Sequence, residues 1–480
     1  MRARHLFLIT ALVLAAPRPA RAFCGFFVAG SGQQLSNDAS KVVLMRKGNR
    51  TALTMSNNYK GPPESFAMVV PVPVVLKKED VKTLPPDVFD HIDQLSAPRL
   101  VEYWEEDPCR ARIQKDEEMD RAKAGGITPA PTSALGGLGV KVEARFAVGE
   151  YEIVILSAED ASGLETWLRR SKYALPKGAA EALAPYVKSQ MKFFVAKVDI
   201  QKVKRDANGA VVLSPLRVIY EAPDLRLPVR LGLLNANGHQ DLLVYVLHPS
   251  ARFEAANYTN VFIPTNLEVV DEVRGVFASF YAQLFDEALR RANNRAVVTE
   301  YAWQTSSCDP CPVPPLQPAD LAVLGDDVLS GNGAKASRTP GAGPGNGYYG
   351  DFASWVLTRM HTRYARDTLS EDLVFREAKP VVGGRAGWDT SASEQPGEVR
   401  PDSTNNFQAR YIIRHYFTGK VACANPLWGQ WGGPPGGGSS LQAAKDLAAA
   451  PRGKVTLGNV VRSALPQLGL PGKAAPAHPR

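Results

Sequence analysis

The sequence predicts an α+β fold of mainly antiparallel β-sheets, with a sandwich-like packing among its options and a few helices covering a face. Two observations carry this expectation. Short apolar or alternating runs recur between residues 40 and 250 and are separated by Gly- and Asn-Gly-containing turns, the pattern of strands. Segments at 87–95, 159–190 and 271–291 instead repeat their apolar residues at helical spacing.

The elements follow in order. Residues 42–45 and 51–56 flank Arg46-Lys47-Gly48-Asn49-Arg50, a strand–turn–strand signal. The apolar run at 66–76 holds Pro71 and Pro73, and proline cannot donate to a ladder. It therefore reads as an edge strand, or as one that breaks after Val70. Val88, Ile92 and Leu95 share one side of a short helix. Residues 110–139 are charged and rich in Ala, Gly and Pro, which predicts an exposed mobile loop. Alternation resumes at 141–148 and 151–156. Ser157-Ala158-Glu159-Asp160 then fits a capping box opening a helix that carries Leu164, Trp167 and Leu168, and a second helix is expected over 179–189. Strands at 192–200, 211–220, 225–234 and 241–247, joined by turns such as Asn208-Gly209 and Asn237-Gly238, read as a β-meander. Residues 271–291 form the strongest amphipathic helix, with Val273, Val276, Phe277, Phe280, Leu284 and Phe285 on one face. Its polar face is mixed in sign, which favours packing on the sheet over a membrane surface. These segments make one main module over 23–300. Residues 301–428 are less regular and form a docked region or a small second unit, with a flexible Gly/Ser/Asn stretch at 330–350. Ordered patches return at 352–364, 373–382 and 407–417. The Gly/Pro/Ala-rich tail, 429–480, is expected to be disordered apart from a short helix near 441–449.

Residues 1–22 have the anatomy of a cleaved secretory signal: a basic front of Arg2, Arg4 and His5, an uncharged run from Leu6 to Ala16, and Ala20-Arg21-Ala22 as a small-x-small cleavage site. The run is too short to span a bilayer, and no later segment is long and apolar enough to do so. The expectation is therefore an exported protein of the periplasm, cell envelope or extracellular space, without a transmembrane segment. The leader carries Arg2, Arg4, Arg18 and Arg21 and no acid, so its removal lowers the formal charge from +8 to +4. What remains lacks the clustered basic stripe of a nucleic-acid binder. Of five cysteines, Cys24, Cys109, Cys308, Cys311 and Cys423, all lie in the exported part and are disulfide candidates. Their odd number leaves at least one thiol free or intermolecular, and their spacing does not choose a connectivity.

Candidate chemistry is sparse. Cys308-Asp309-Pro310-Cys311 is a C-x-x-C with three readings: a structural disulfide, thiol–disulfide exchange, or half a zinc site. Exchange calls for a helix N-terminus at the first Cys, and Pro312, Pro314 and Pro315 forbid a regular helix there. A zinc site needs a second ligand pair, which the chain does not space suitably. Both points favour the structural bridge. Gly345-Asn346-Gly347-Tyr348-Tyr349-Gly350 matches G-x-G-x-x-G, but it ends a low-complexity loop with no strand before it, so no dinucleotide is expected. Neither G-x-S-x-G nor H-E-x-x-H occurs. His91, His239, His248, His361, His415 and His478 include no metal-binding pair, and no cofactor or metal is expected. Asn57, Asn58 and Tyr59, then Asn257 and Tyr258, then Asn266, lie in polar–aromatic turns that can present a binding surface for sugar or peptide; as turns, they can equally serve the backbone alone.

At Phe23 to Ala29, Met55 to Tyr59, Gly61-Pro62-Pro63, Phe66 to Pro73 and Ala97-Pro98-Arg99-Leu100 the chain resembles an uncharacterised family of exported bacterial proteins, domain of unknown function 2330. Further similar stretches are Phe193 to Asp199, Leu213 to Leu216, Leu227 to Asn235, Ile263 to Asn266 and Cys308 to Pro312. The resemblance covers roughly 23–425 and implies export, a bacterial source and one extended module; it brings no activity or catalytic residue. The expectation is a non-catalytic envelope or secreted protein that binds an envelope protein or glycan, or scaffolds an assembly. Two alternatives stand: an extracellular hydrolase built on Asp and Glu brought together by folding, and a periplasmic thiol–disulfide protein using Cys308 and Cys311.

Overall fold

The computed structural model describes residues 26–30, 39–56, 66–109, 140–171, 173–205, 211–234, 238–330, 355–384, 396–444, 447 and 450–473. The leader, Cys24, Asn57, Asn58, Tyr59, the loop at 110–139 and the stretch at 331–350 lie outside these.

The chain is α+β, with several mostly antiparallel open sheets and few helices. An 11-stranded sheet runs in the order Arg400–Pro401, Val381–Gly383, Asn406–Gln408, Ala296–Gln304, Val356–Tyr364, Gln240–His248, Ala39–Lys47, Arg50–Met55, Leu216–Glu221 and Val81–Thr83; Thr259–Phe262 also pairs with Ala296–Gln304. A 6-stranded sheet has the order Val140–Val148, Tyr151–Ala158, Lys192–Val198, Phe66–Val72, Phe26–Gly30 and Tyr173–Ala174. The two sheets pack face to face. Met68, Val70, Ile153, Ile155 and Phe194 of the smaller meet Val42, Leu44, Leu53, Val218 and Val244 of the larger. Alternation explains the layering: Val42 and Leu44 face this inter-sheet core, whereas Val43 and Met45 face the opposite way. On the outer face of the 6-stranded sheet, helices Ala161–Arg170 and Ala179–Lys188 bury Leu164, Leu168, Leu183 and Tyr186 against Val69, Val154 and Phe193. The outer face of the 11-stranded sheet carries helix Asp87–Ser96, the segment holding Leu316 to Leu329, and helix Phe277–Arg291. The result is a four-layer helix–sheet–sheet–helix stack.

The hairpin at 39–55 and the helices at 87–96 and 179–188 form where periodicity places them. Other elements differ. Among the described residues, Lys204–Arg205 and Val211–Val212 pair antiparallel on either side of 206–210, as the Asn208-Gly209 signal predicts. The longer strands do not form a β-meander: Lys192–Val198 lies in the 6-stranded sheet, Leu216–Glu221 pairs with Arg50–Met55, Leu225–Leu227 with Leu373–Ala378, and Gln240–His248 with Ala39–Lys47 and Val356–Tyr364. Strand partners are chosen by non-local burial, which adjacent turns do not report. Ser157 continues a strand, and Asp160 is the cap, its carboxylate accepting from Gly163 N at 2.6 Å. The helix expected from 271 opens as a 3-10 turn, Asp271–Val276, before the α-helix Phe277–Arg291. The strand Phe66–Val72 is internal and runs through Pro71. Among the described residues, Phe26–Gly30 pairs with positions 66–69, and Pro71 lies opposite Phe193 of Lys192–Val198.

Residue 300 falls inside the strand Ala296–Gln304, and Val356–Tyr364 is inserted between that strand and Gln240–His248, so the residues beyond 300 share the main sheet. Residues 441–443 form a strand against Arg99–Glu105 rather than a helix. Downstream, Leu457, Val461, Leu465 and Leu468 pack beside Leu284 and Phe285, so this part of the Gly/Pro-rich tail is joined to the core.

Candidate functional site

A buried cluster of ionisable groups lies in the seam between helices Asp87–Ser96 and Phe277–Arg291, on the outer face of the 11-stranded sheet. Arg359, His361 and Arg363 occupy alternate positions of one strand, and Asp241 and Tyr245 share the same face of its neighbour. A register shift between Thr299 and Tyr301 puts Glu300 in a bulge, which turns its carboxylate onto that face beside Tyr301. Helix Asp87–Ser96 adds Asp93, and helix Phe277–Arg291 adds Tyr281 and Phe285.

These groups alternate in sign. Asp93 Oδ1 accepts from Tyr245 OH at 2.7 Å and from Arg359, and Asp93 also pairs with Lys41. Arg359 Nε donates to Glu300 Oε2 at 2.6 Å. Glu300 Oε1 accepts from Tyr281 OH at 2.6 Å and lies 2.8 Å from His361 Nδ1, whose Nε2 is 3.0 Å from Asp241 Oδ1. Phe285 stacks on the imidazole with centroids 3.8 Å apart. Arg363 and Arg452 lie 3.7 and 3.9 Å from Asp241. Glu300, His361, Arg359, Asp241, Tyr245 and Tyr281 are all buried.

Burial alone would raise the Glu300 pKa, but the charges of Arg359 and His361 prevail and hold it near 2. Burial likewise opposes protonation of His361, yet the Glu300 charge and the hydrogen bonds to Asp241 and Glu300 raise its pKa. An imidazole with a carboxylate on each nitrogen donates from both as a cation. It has no lone pair turned toward a substrate proton, so it is not placed to act as a general base. The seam is a closed polar network that locks two helices to a sheet.

Of the sequence-selected turn residues, Asn257 and Tyr258 bond the backbone. Asn257 Nδ2 donates to Asp372 O at 2.8 Å, and its Oδ1 accepts from Val374 N at 3.0 Å. Tyr258 OH donates to Glu371 O and accepts from Glu371 N. These two residues therefore grip one segment. Asn266 is elsewhere, buried at positive φ, with its Oδ1 accepting from Arg410 Nε and Nη2.

The cysteines at 109 and 423 form one disulfide and those at 308 and 311 another. The first sits beside a partly exposed aromatic surface that the sequence reading missed. Trp104 stacks on His415 at 4.4 Å, Tyr416 meets Trp431 edge-on at 5.3 Å, and Phe417 approaches Trp428 at 6.4 Å, with Leu427 58% exposed alongside. Glu105 anchors the surface, its two carboxylate oxygens accepting from Gly429 N and Phe417 N. The linear signal is the aromatic density of residues 416–431 together with Tyr103-Trp104. The parallel pairing of Arg99–Glu105 with Arg410–His415 sets Trp104 beside His415 on one face of this sheet, while Trp431, opposite Glu105, gathers Arg414 and Tyr416 on the other.

Among the described residues no helix is long and apolar enough to cross a membrane, and no group of three or more His, Cys, Asp or Glu is arranged to hold a metal ion. No curated protein and no solved structure matches the chain. A family model described as "Uncharacterized protein conserved in bacteria (DUF2330)" matches residues 18–376, most of the chain, and the chain belongs to that family.

Proposed function

We propose that this is an exported, non-catalytic binding or scaffolding protein of the cell envelope or extracellular space, with an envelope glycan as ligand. The observation that carries the reading is the aromatic pair Tyr416 and Trp431, which lies beside the Cys109–Cys423 staple and is left partly open to solvent. Flat aromatic faces with polar rims recognise amphipathic ligands at low conformational cost. Arg414, 5.2 Å over the Trp431 ring, and Glu268, bonded to both Arg414 and Tyr416, supply that polar rim. The secretory anatomy of residues 1–22 supports export, and the closure of the buried seam supports binding over turnover.

The test is titration of the purified mature protein with soluble cell-wall glycans, followed by tryptophan fluorescence. Saturable binding that Y416A and W431A each weaken about tenfold, with near-UV circular dichroism intact, is the expected outcome; ~1.4 kcal/mol per ring corresponds to that factor. Absence of binding, or turnover of the glycan that is lost in His361→Asn, overturns it.

A further inference from the structure

The two disulfides differ in what they can do for the fold. Cys109–Cys423 spans 314 residues of sequence and Cys308–Cys311 only 3. Loop-closure entropy grows with loop length, so the short bridge restrains the unfolded chain far less than the long one. Access does not separate them, since each joins an exposed cysteine, Cys311 or Cys109, to a half-buried one, Cys308 or Cys423; Cys308 packs against the core that holds Leu316, Trp303 and Trp355.

Beneath this loop lies an unusual cation. Arg99 is fully buried, and its hydrogen bonds all go to main-chain carbonyls: Leu95 O at 2.6 Å, Pro310 O at 2.7 Å and Ala97 O at 3.3 Å. The Tyr301 ring covers it at 5.6 Å. Gln408 Nε2 donates to Asp309 O and, at 2.7 Å, to Gly384 O. Both central carbonyls of the C-x-x-C loop are therefore held from below, by groups that do not depend on the sulfur–sulfur bond. No helix starts at Cys308: the residues after Cys311 carry no helix until Pro318, so a helix dipole cannot stabilise a thiolate here. The guanidinium of Arg99 brings positive charge to the same loop at Pro310 O, facing the Asp309 carboxylate within it.

We propose that Cys308–Cys311 is an exchangeable disulfide, opened by an external dithiol, with Arg99 as its positioning residue. A thiolate of the dithiol attacks Cys311 Sγ from solvent, forming a mixed disulfide and expelling the half-buried Cys308 as thiolate. The second thiol of the dithiol then displaces Cys311. The protein pair gains two electrons and two protons, and the dithiol leaves as its own disulfide. A cation near the leaving sulfur lowers its pKa and speeds departure. The clamps on Asp309 O and Pro310 O keep the two thiols poised for reclosure. This activity is independent of glycan binding.

The experiment equilibrates the folded protein in graded ratios of reduced to oxidised dithiothreitol, quenches with an alkylating reagent, and assigns each cysteine by peptide mass spectrometry. Cys308 and Cys311 are expected to label as a pair at ratios where Cys109–Cys423 stays closed and near-UV circular dichroism is unchanged. Arg99→Met shifts that midpoint at least tenfold toward the oxidised form, whereas Arg99→Lys holds it within a factor of about three. On reduced wild-type protein, the alkylation rate of the Cys308 pair against pH has a midpoint below the ~8.5 of a free thiol; this reading stands even if Arg99→Met fails to fold. Opening of both bridges together on unfolding, equal midpoints in both Arg99 variants, or a thiol midpoint at or above the free value overturns the proposal.

Discussion

At the scale of single residues, Glu300 decides the most. It is fully buried and bonded to Arg359, His361 and Tyr281, so replacing it removes the one anion between two buried cations. Breaking a buried pair by removing one partner costs ~3–5 kcal/mol, because the remaining charge is left in low dielectric. Glu300→Gln is expected to lose that much in urea unfolding. The pH dependence has two limbs of opposite sign. Glu300, held near 2, contributes stability that is complete above its unfolded value of ~4.3 and lost as pH falls toward 2. His361 has a raised pKa, so its contribution is complete below ~6.5 and lost as pH rises through its folded value. The groups facing its ring are Glu300, Asp241 and Phe285, with Arg363 and Arg452 behind Asp241. The urea midpoint of the wild type should decline on both sides of a plateau; His361→Gln should flatten the alkaline side and, by removing one of the charges that hold Glu300 down, shrink the acid limb as well. An alkaline limb that survives in the variant excludes His361 as its source. Residue-level sequence reading found His361 only as one unpaired histidine. The legible trace was Arg359, His361 and Arg363 at alternate positions, while the matching acids lie at 93, 241 and 300 and are joined only by folding.

At the scale of elements, helix Phe277–Arg291 shows how far periodicity reaches. Its apolar face was readable because 3.6-residue spacing is local, and the structure buries Phe280, Leu284 and Phe285. Its task was not readable: Phe285 roofs His361, and Tyr281 bonds Glu300. The same limit explains the missing meander, since turn chemistry marks where a strand ends but not which strand it joins. Phe285→Ala removes a fully buried ring that covers the charged seam, and ~3–5 kcal/mol of destabilisation is expected. Glu287 on the opposite face pairs only with Arg290 and Arg291 of its own helix, so Glu287→Ala should cost no more than ~0.5 kcal/mol per lost pair. Comparable denaturation midpoints for the two variants would mean that the helix does not dock through this face.

At the scale of the whole molecule, the fold is closed by long-range pairings. Arg410–His415 lies parallel to Arg99–Glu105, Gln240–His248 parallel to Ala39–Lys47, and the tail returns to cover Leu284. Parallel neighbours need long crossovers, and here the intervening chain builds other layers rather than a single helix. This is why the fold class was legible while the organisation beyond residue 300 was not: composition describes a segment's own polarity, not the strand waiting for it 300 residues earlier. Cys109–Cys423 fastens this arrangement by joining the ends of two such parallel strands. In the chain-entropy picture, closing so long a loop contributes ~5 kcal/mol, against roughly 2 kcal/mol for the loop at Cys308–Cys311. The double variant C109S/C423S should therefore unfold at a clearly lower denaturant concentration than C308S/C311S, with the m-value raised by a more expanded unfolded state. Equal midpoints for the two would show that the sheets hold the distant strands together without the covalent tie, and that Cys109–Cys423 serves the aromatic surface rather than the fold.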